Sequence, residues 1–268
     1  MSRPGDNPMA RLKAVLARHD RLVLAVSGGV DSMTLAHAAH RLTERDGVDI
    51  CHAVSPAVPA AATARVRAHA DRFGWRLRVL DAGEFTDPDY LRNPVNRCYF
   101  CKSNLYTRIR QAVSGPVASG ANLDDLGDYR PGLEAAREKG VCHPFIEAAC
   151  TKADVRAMAR QFGLDDISEL PAQPCLASRI ETGLRVEPED LRFVEVTEAA
   201  LTPHSGAATL RVRVLPAGVR VELSDWNTRT DEERRIFRER AKRLCAASGR
   251  RLLQVAEYRR GSAFRHDL

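Results

Sequence analysis

The sequence predicts an α/β protein, with a doubly wound parallel sheet followed by a second, smaller α+β domain. Short apolar runs alternate with helical patterns over roughly the first 160 residues, as in successive βαβ units. One of these runs, Leu22–Val26, leads directly into the glycine pair of Ser27–Ser32, which reads SGGVDS. After Pro174 the chain changes to longer charged helices and alternating strands. We therefore predict domains at 1–175 and 186–268.

The elements of the first domain begin with a helix that has Met9, Leu12, Val15 and Leu16 on one face. Strands are predicted at Leu22–Val26, Val48–Ser55, Arg76–Asp81 and Val117–Ser119. Helices are predicted at Ser32–Arg45, Pro59–Phe73, Cys98–Val113 and from the capping pattern Thr151-x-x-Asp154 to Phe162. Because ligands bind at the carboxyl ends of strands in such sheets, the segments after the first and fourth strands form the candidate site.

A segment rich in proline and acids, Asp165–Pro174, separates the two domains and predicts a linker or an active-site loop. The second domain is predicted from a helix at Glu189–Leu201, strands at Leu210–Leu215 and Val219–Leu223, a helix at Asp231–Ser248 and a strand at Leu252–Glu257.

Composition indicates a protein with a full apolar core and no membrane span. The chain has 268 residues, of which 44% are apolar, and no run approaches the ~20 apolar residues that cross a bilayer. The first residues, MSRPGDNPMAR, lack the apolar core of a secretory signal, so we expect a cytoplasmic protein. The formal charge of +6 suits anionic ligands such as nucleotides. The basic residues are interspersed with acids, so nucleic acid is not an expected partner.

The SGGVDS segment has the composition of a phosphate-binding loop. Paired glycines allow a tight turn whose N–H groups point inward, and the following helix adds the positive end of its dipole. Ser27 and Ser32 add hydroxyl donors, and Asp31 is placed to hold a magnesium ion. The segment lacks the Gly-Lys-Ser/Thr of a P-loop and the GxGxxG of a dinucleotide turn. The alternative is an ordinary strand–turn–helix connection.

Three cysteines form the second chemical signal. Cys98 and Cys101 open a predicted helix, where residues three apart share a face, and Cys175 lies far downstream. A helix N-terminus, together with Arg97 and Lys102, is expected to lower the pKa of the two helical thiols.

Zinc and an iron–sulfur cluster are both possible for such thiols. A structural zinc site needs a fourth ligand, for which Cys142 or His143 is the candidate. A cluster held by three thiolates instead leaves one iron open to an outside ligand such as sulfide. The seven cysteines do not suggest a disulfide framework. Four of them stand among apolar residues and are expected to be buried packing: Cys51, Cys142, Cys150 and Cys245.

These motifs together resemble a known family. SGGVDS is similar to the pyrophosphate loop (PP-loop) of ATP pyrophosphatases, which cleave ATP between the α and β phosphates. With NPVNRCYFCK, SGANLDDLGDYRPG, PCLASRI and the RVRV and YRRGS segments, nearly the whole chain resembles the LarE family of ATP-dependent sulfur transferases. The resemblance implies adenylation of pyridinium-3,5-biscarboxylic acid mononucleotide with ATP and Mg²⁺, and its conversion to a thiocarboxylate in nickel-pincer nucleotide biosynthesis.

The resemblance also implies a sulfur source. Some members sacrifice the cysteine of PCLASR, which becomes dehydroalanine, whereas others hold a [4Fe-4S] cluster that carries transferable sulfide. Because Cys98, Cys101 and Cys175 are all present, this chain resembles the cluster-bearing members. The family also tends to form homo-oligomers.

The candidate site residues follow from the motifs and their placement. Expected nucleotide contacts are Ser27, Gly28, Gly29, Asp31, Ser32, Asn122 and Asp125, with Asp31 and Asp125 as magnesium ligands. Expected substrate contacts are Arg179, Arg211 and Arg213, the last two alternating on one strand. The alternatives are a surface ion pair for Arg179 and a solvent-facing strand for the other two. Glu195 and Glu198 are both candidates for an acidic residue near the sulfur donor, and YRRGS departs from the family's YRSGS.

Two other functions are consistent with the sequence. A tRNA thiolase also combines a PP-loop with three cysteines and a cluster, but it would need an RNA-binding surface. A non-enzymatic nucleotide sensor with a structural metal is the second alternative.

Overall fold

The computed structural model describes residues 7–43, 47–127 and 130–264. In these ranges the strands are β1 (Leu22–Ala25), β2 (Val48–Val54), β3 (Arg76–Asp81), β4 (Val117–Ser119), β5 (Leu210–Leu215), β6 (Gly218–Leu223) and β7 (Leu252–Glu257). The helices are α1 (Pro8–Leu16), α2 (Val30–Leu42), α3 (Ala60–Phe73), α4 (Pro88–Leu91), α5 (Arg97–Ala112), α6 (Pro131–Glu138), α7 (Pro144–Glu147), α8 (Lys152–Gln161), α9 (Asp165–Ser168), α10 (Pro188–Ser205) and α11 (Asp231–Ala247). The predicted end of the second helix at Arg45 lies outside the described residues.

Strands β1 to β4 form a parallel sheet in the order β3-β2-β1-β4. The chain steps outward from β1 through α2 and α3 to β3, then returns through α5 to β4 on the other side of β1. The direction of winding therefore reverses between β1 and β4, and sheets of this kind bind ligands in the crevice at the carboxyl ends of the strands next to this point. The predicted doubly wound parallel sheet is confirmed.

Helices cover both faces of this sheet. Leu24 of β1 belongs to a core that includes Leu12 of α1, Leu35 of α2 and Val155 of α8. Its neighbour Val23 points to the opposite face, where it belongs to a core with Ile109 of α5.

A capping box fixes the start of α8. The hydroxyl of Thr151 accepts a hydrogen bond from the Asp154 N–H (3.2 Å), and the Asp154 carboxylate accepts one from the Thr151 N–H (2.9 Å). The predicted capping pattern is confirmed. It makes Lys152 the first residue of the helix.

The chain divides into two compact units. Unit 1 runs to Glu84 and resumes over Cys98–Gln173, while unit 2 comprises Phe85–Arg97 and the chain from Pro174 onward. Within unit 2, the Asn93 side chain donates to the Glu181 carbonyl at 2.8 Å and so connects Phe85–Arg97 to the later part of the chain. The predicted division at 1–175 and 186–268 did not anticipate this segment.

Unit 2 is a small α+β unit. Its sheet has the order β5-β6-β7, with β5 antiparallel and β7 parallel to β6. Helix α10 packs against β5 and α11, and its buried residues include Leu191, Val194 and Leu201.

The segment predicted as a linker or loop, Asp165–Pro174, is partly helical, since α9 occupies its first residues. Arg156 of α8 donates to the carbonyls of Ser168 and Leu170, the latter at 2.7 Å. A four-residue helix is too short to show a helical period in the sequence. Across the described ranges no helix is both long and apolar enough to span a membrane.

Candidate active site

The glycine loop, defined as Ser27–Ser32, connects β1 to α2 at the crevice. The Ser32 hydroxyl accepts a hydrogen bond from the Ser27 N–H (3.1 Å) and lies 3.1 Å from the Ser27 hydroxyl. Gly29 is the N-cap of α2 and has no side chain to cap it. The first N–H groups of a helix have no intrahelical acceptor, so this loop presents donors suited to anionic oxygens. The two serines and two glycines predicted here thus form one turn.

Gly28 has a steric requirement that the other loop glycine lacks. Its φ is 83°, and a Cβ at this position would lie 2.8 Å from the Ala62 carbonyl oxygen in the first turn of α3. At Gly29 the nearest atom to an added Cβ would be Ser27 Oγ at 3.6 Å. The glycine loop therefore packs against α3 through Gly28.

Arg65 and His52 connect the glycine loop and the end of β1 to α3. Arg65 of α3 donates to the Gly28 carbonyl at 2.7 Å and lies 3.4 Å from the Gln173 side-chain oxygen. The His52 ring, fully buried, donates from Nδ1 to the Val26 carbonyl (2.8 Å) and accepts from the Thr63 hydroxyl at Nε2 (2.9 Å). Burial lowers the pKa of His52. A neutral ring therefore ties the end of β1 to α3.

The Gly120 loop, defined as residues 120–127, follows β4 and lies against the glycine loop. A Cβ at Gly120 would lie 2.7 Å from the Ser32 backbone nitrogen, so the two loops are in backbone contact. Asn122 is 2% exposed, and its side chain donates to the Asp31 carboxylate at 3.1 Å. Asn122 therefore lies at the predicted edge of the sheet, and its contact with the nucleotide stays a prediction.

The two predicted magnesium ligands are joined through Asn122 and are each paired with a cation. The Asn122 N–H donates to the Asp125 carboxylate at 3.1 Å. The Lys152 ammonium lies 2.5 Å from Asp31, and the Arg130 guanidinium lies 2.7 Å from Asp125. Carboxylate oxygens are the ligands that Mg²⁺ prefers, so this donor set fits the ion. Whether the two carboxylates bind magnesium stays a prediction.

The two helical thiols lie in the first turns of α5. Cys98 is exposed and Cys101 is half-buried. Gly132, at the start of α6, packs on this part of the helix, since a Cβ there would lie 3.1 Å from a Lys102 side-chain carbon. Arg97, predicted to act on the thiols, is 3% exposed and donates to Asn93.

The two candidates for a fourth zinc ligand are hydrogen-bonded to β4. The Cys142 thiol donates to the Val117 carbonyl, and His143 Nδ1 is 2.9 Å from the Ser119 hydroxyl. Burial lowers the pKa of His143. Among the residues that the structure describes in this unit, no three His, Cys, Asp or Glu side chains are grouped to hold a metal ion.

Cys175 belongs to unit 2, where it precedes a short 3₁₀ turn, Leu176–Arg179. Arg179 donates to the carbonyls of Pro174 (2.7 Å) and Cys175 (3.2 Å). Its guanidinium also forms a bidentate pair with Glu198, at 3.1 and 3.0 Å. Because this arginine is 4% exposed, the surface-pair alternative is wrong. Arg179 instead fixes the backbone that carries the thiol.

The other two predicted substrate arginines differ in burial. Arg213 is 4% exposed, pairs with Glu222 at 3.1 Å and donates to the Ser178 carbonyl at 3.0 Å. Arg211 is half-buried, and burial lowers the pKa of its guanidinium. The solvent-facing alternative is therefore wrong for Arg213. These contacts link β5 to the Cys175 turn.

Three of the four cysteines predicted as packing are fully buried: Cys51, Cys150 and Cys245. Burial raises the pKa of Cys51 and Cys150 to about 11, and raises that of half-buried Cys142 to about 11. The raised pKa makes these three thiols poor nucleophiles at neutral pH. Of the remaining predicted ligands, Cys98 is exposed and Cys101 and Cys175 are half-buried.

Sequence reasoning did not identify Lys152, Arg65 or His52 as site residues. Each of these residues lies on an element that is distant in sequence from the glycine loop. None of them belongs to a sequence motif that would mark it as a site residue. For Lys152 a signal existed, since the capping pattern Thr151-x-x-Asp154 placed it at the start of a helix near the carboxyl edge of the sheet.

No protein-family model matches the chain. The chain is 35% identical over 222 residues to an uncharacterized protein from Synechocystis sp., with 81% of this chain and 82% of the relative aligned. It is 29% identical over 220 residues to the pyridinium-3,5-bisthiocarboxylic acid mononucleotide synthase of Lactiplantibacillus plantarum, covering 81% and 79%. It is 30% identical over 183 residues to a tRNA-cytidine(32) 2-sulfurtransferase from Syntrophotalea carbinolica, covering 58% and 66%.

A parallel sheet with a glycine loop after β1 and a facing loop after β4 defines a protein of the PP-loop class. The similarity to relatives across four-fifths of the chain adds the family. The chain belongs to the LarE family of sulfurtransferases.

Proposed function

We propose that this protein uses ATP to adenylate the carboxylates of pyridinium-3,5-biscarboxylic acid mononucleotide and converts them to thiocarboxylates for nickel-pincer nucleotide biosynthesis. The observation that carries the proposal is the backbone contact between the glycine loop and the Gly120 loop at the crevice of the sheet, in a chain of this family. That contact brings phosphate-binding donors, two carboxylates and an ammonium group to one edge.

The nucleotide half of the reaction uses unit 1. A carboxylate is a poor electrophile, so its oxygen first attacks the α-phosphorus of ATP, and the bond to the pyrophosphate breaks. The N–H groups and hydroxyls of Ser27–Ser32 stabilise the charge on the leaving pyrophosphate. Lys152, which contacts Asp31 at 2.5 Å, supplies a positive charge beside the same loop. A magnesium ion bound by Asp31 and Asp125 would further neutralise the phosphates.

The sulfur half of the reaction uses the thiols of Cys98, Cys101 and Cys175. Three thiols are the donor set that a [4Fe-4S] cluster with one open iron requires, and Cys98 and Cys101 lie one helical turn apart on α5. When bound, the cluster supplies a transferable sulfide. A sulfur nucleophile attacks the carbonyl carbon of the acyl adenylate, and AMP leaves with the electron pair of the C–O bond. The residues of unit 2 hold the Cys175 turn rigid through Arg179 and Arg213.

Half-buried Arg211 is the arginine best suited to contact the substrate. Arg179 and Arg213 are almost fully buried, so we assign them to positioning, and we assign the substrate contact to Arg211, which is more exposed. Glu198 is an acidic residue connected to the thiol turn, through its pair with Arg179.

The test is incubation of the protein with ATP, Mg²⁺, sulfide and the biscarboxylate mononucleotide. We expect pyrophosphate release that requires the mononucleotide, and a product in which sulfur replaces a carboxylate oxygen. Lys152→Met should reduce pyrophosphate release strongly, while Lys13→Met, on an exposed position of α1, should not. No pyrophosphate release under any of these conditions would favour the nucleotide sensor.

One relative is named as a tRNA sulfurtransferase, which keeps the tRNA thiolase as a second candidate. Filter binding with tRNA over a salt series distinguishes the two, since tight, salt-sensitive binding is expected only of the thiolase. The sulfur source is tested by the mass of the protein after turnover. A loss of about 34 Da at Cys175 would indicate conversion to dehydroalanine and would contradict the cluster as sulfur source.

A further inference from the structure

Three arginines surround one buried carboxylate at the amino ends of β1, β2 and β3. Asp49 of β2 is 4% exposed, and ion pairs join it to Arg76 at 3.0 Å, Arg21 at 3.6 Å and Arg78 at 3.8 Å. The four side chains and Leu77 line a cavity of about 310 Å³. This is the edge of the sheet opposite the glycine loop, so the nucleotide site does not account for it.

The strand register builds this cluster. Asp49 is in register with Arg76, and Cys51 is in register with Arg78, so both arginines share the face of Asp49. Arg21 immediately precedes β1, and a Cβ on Gly47 would overlap the Asp20 carbonyl oxygen. Gly47 therefore permits the close approach that brings Arg21 beside β2.

Two of the three arginines in this cluster have guanidinium N–H groups that make no hydrogen bond to Asp49. Among the three arginines, Arg76 alone is within hydrogen-bonding distance of Asp49. Within the described ranges, Arg21 and Arg78 donate no hydrogen bond, and their side chains are 61% and 54% exposed. Three guanidinium groups against one carboxylate leave a net charge of +2. Asp49 offsets part of the repulsion among the arginines, and the strand register sets the backbone positions of Arg76 and Arg78.

We propose that this cavity is a phosphate-binding site separate from the nucleotide site. A dianionic phosphate group matches the net charge, and guanidinium groups bind phosphate oxygens through paired N–H donors. The ligand is either free phosphate or the phosphate of a monoester.

The test compares phosphate binding by the full-length protein and by a double variant, Arg21→Gln/Arg78→Gln, using isothermal titration at constant ionic strength. Arg76 is left unchanged because it bonds the buried Asp49. We expect phosphate affinity to fall about tenfold or more in the double variant. The matched control, Arg92→Gln/Arg137→Gln, removes the same charge from exposed pairs elsewhere and should bind phosphate as the parent does.

A second variant separates a ligand site from a purely structural cluster. Asp49→Asn removes the negative charge from the cavity and should tighten phosphate binding several-fold. Titrations with AMP in the same variants distinguish the two sources, since loss of AMP binding at this cavity would identify a monoester ligand. Equal phosphate affinity in parent and double variant, an equal loss in the control, or no gain in Asp49→Asn would overturn the proposal.

Discussion

Arg179 and Glu198 form a bidentate ion pair whose side chains are only 5% and 15% exposed. Arg179 also donates to the carbonyls of Pro174 and Cys175, and Glu198 accepts from the Val212 N–H at 2.9 Å. Two charges removed from water are stabilised here only because each is fully hydrogen-bonded. The pair therefore determines how rigidly the Cys175 turn is held.

Removal of this arginine should destabilise the protein markedly. Arg179→Gln leaves Glu198 as a buried, uncompensated charge, with an expected loss of about 3–5 kcal/mol in the free energy of unfolding. Urea unfolding measures this loss. The control is Arg235→Gln, because Arg235 and Glu232 form a bidentate pair of similar geometry on the surface of α11. Equal effects of the two substitutions would show that burial does not matter at Arg179.

Gly120 is the residue at which the two loops of the nucleotide site meet. Gly120→Ala would place a methyl group 2.7 Å from the Ser32 nitrogen, and relief of this overlap should cost about 1–3 kcal/mol and weaken ATP binding. Calorimetric titration with ATP and thermal unfolding test both effects. Gly127→Ala, in the same loop and with open space around its Cβ, should bind ATP normally. Normal binding by Gly120→Ala would argue against a nucleotide site here.

At the scale of elements, a line of hydrogen bonds joins α2, α3 and α9. The ring of His37 is 2.9 Å from His69, and His69 is 2.7 Å from the Asp166 carboxylate. Because the Asp166 carboxylate can only accept, each histidine donates its hydrogen bond from Nε2. The Nδ1 atom of His37 is then an unprotonated, buried nitrogen without a hydrogen-bond partner among the described residues, and it lies beside Phe73 and Trp75. Burial and the neighbouring His69 lower the pKa of His37 to about 3.

This pKa predicts acid sensitivity in a defined direction. Below pH 6.5 the unfolded chain protonates His37 and the folded chain does not, so the stability should fall by roughly 1.4 kcal/mol per pH unit towards pH 3. Urea unfolding at pH 7 and pH 5 measures the change. His37→Gln should lose less stability between these two pH values than the parent does, whereas substitution of the exposed His204 should leave the difference unaltered. A pH dependence unaffected by His37→Gln would refute this assignment.

The longer elements could be predicted because their periodicity extends over enough residues. The structure forms all seven predicted strands, and α2, α3, α5, α8, α10 and α11 lie within a few residues of their predicted bounds. The short helices α4, α6, α7 and α9 were not predicted, since four to eight residues show too little period. Three of them have Pro88, Pro131 or Pro144 in the first turn, a helix-start signal that was present in the sequence.

The parts of the site that form a local sequence motif could be predicted. The ion pairs between side chains from distant elements could not. Ser27–Ser32 and Asn122 could be placed at one sheet edge, because the carboxyl ends of parallel strands share that edge. The burial of Arg179 and Arg213 could not be predicted, since their acidic partners Glu198 and Glu222 come from α10 and β6.

At the scale of the whole molecule, the proposed reaction divides between the units. Unit 1 carries the glycine loop and the thiols of Cys98 and Cys101, and unit 2 carries Cys175. We therefore predict that each of the three cysteines is necessary for metal binding, and that the cysteines with raised pKa values are not.

The most direct test is the iron and sulfide content of protein purified without oxygen, measured with its visible spectrum. We expect a coloured protein with about four irons and four sulfides per chain. We expect their loss in Cys98→Ser, Cys101→Ser and Cys175→Ser, and their retention in Cys142→Ser. A colourless protein that contains zinc, or an iron content unchanged in Cys175→Ser, would contradict the account.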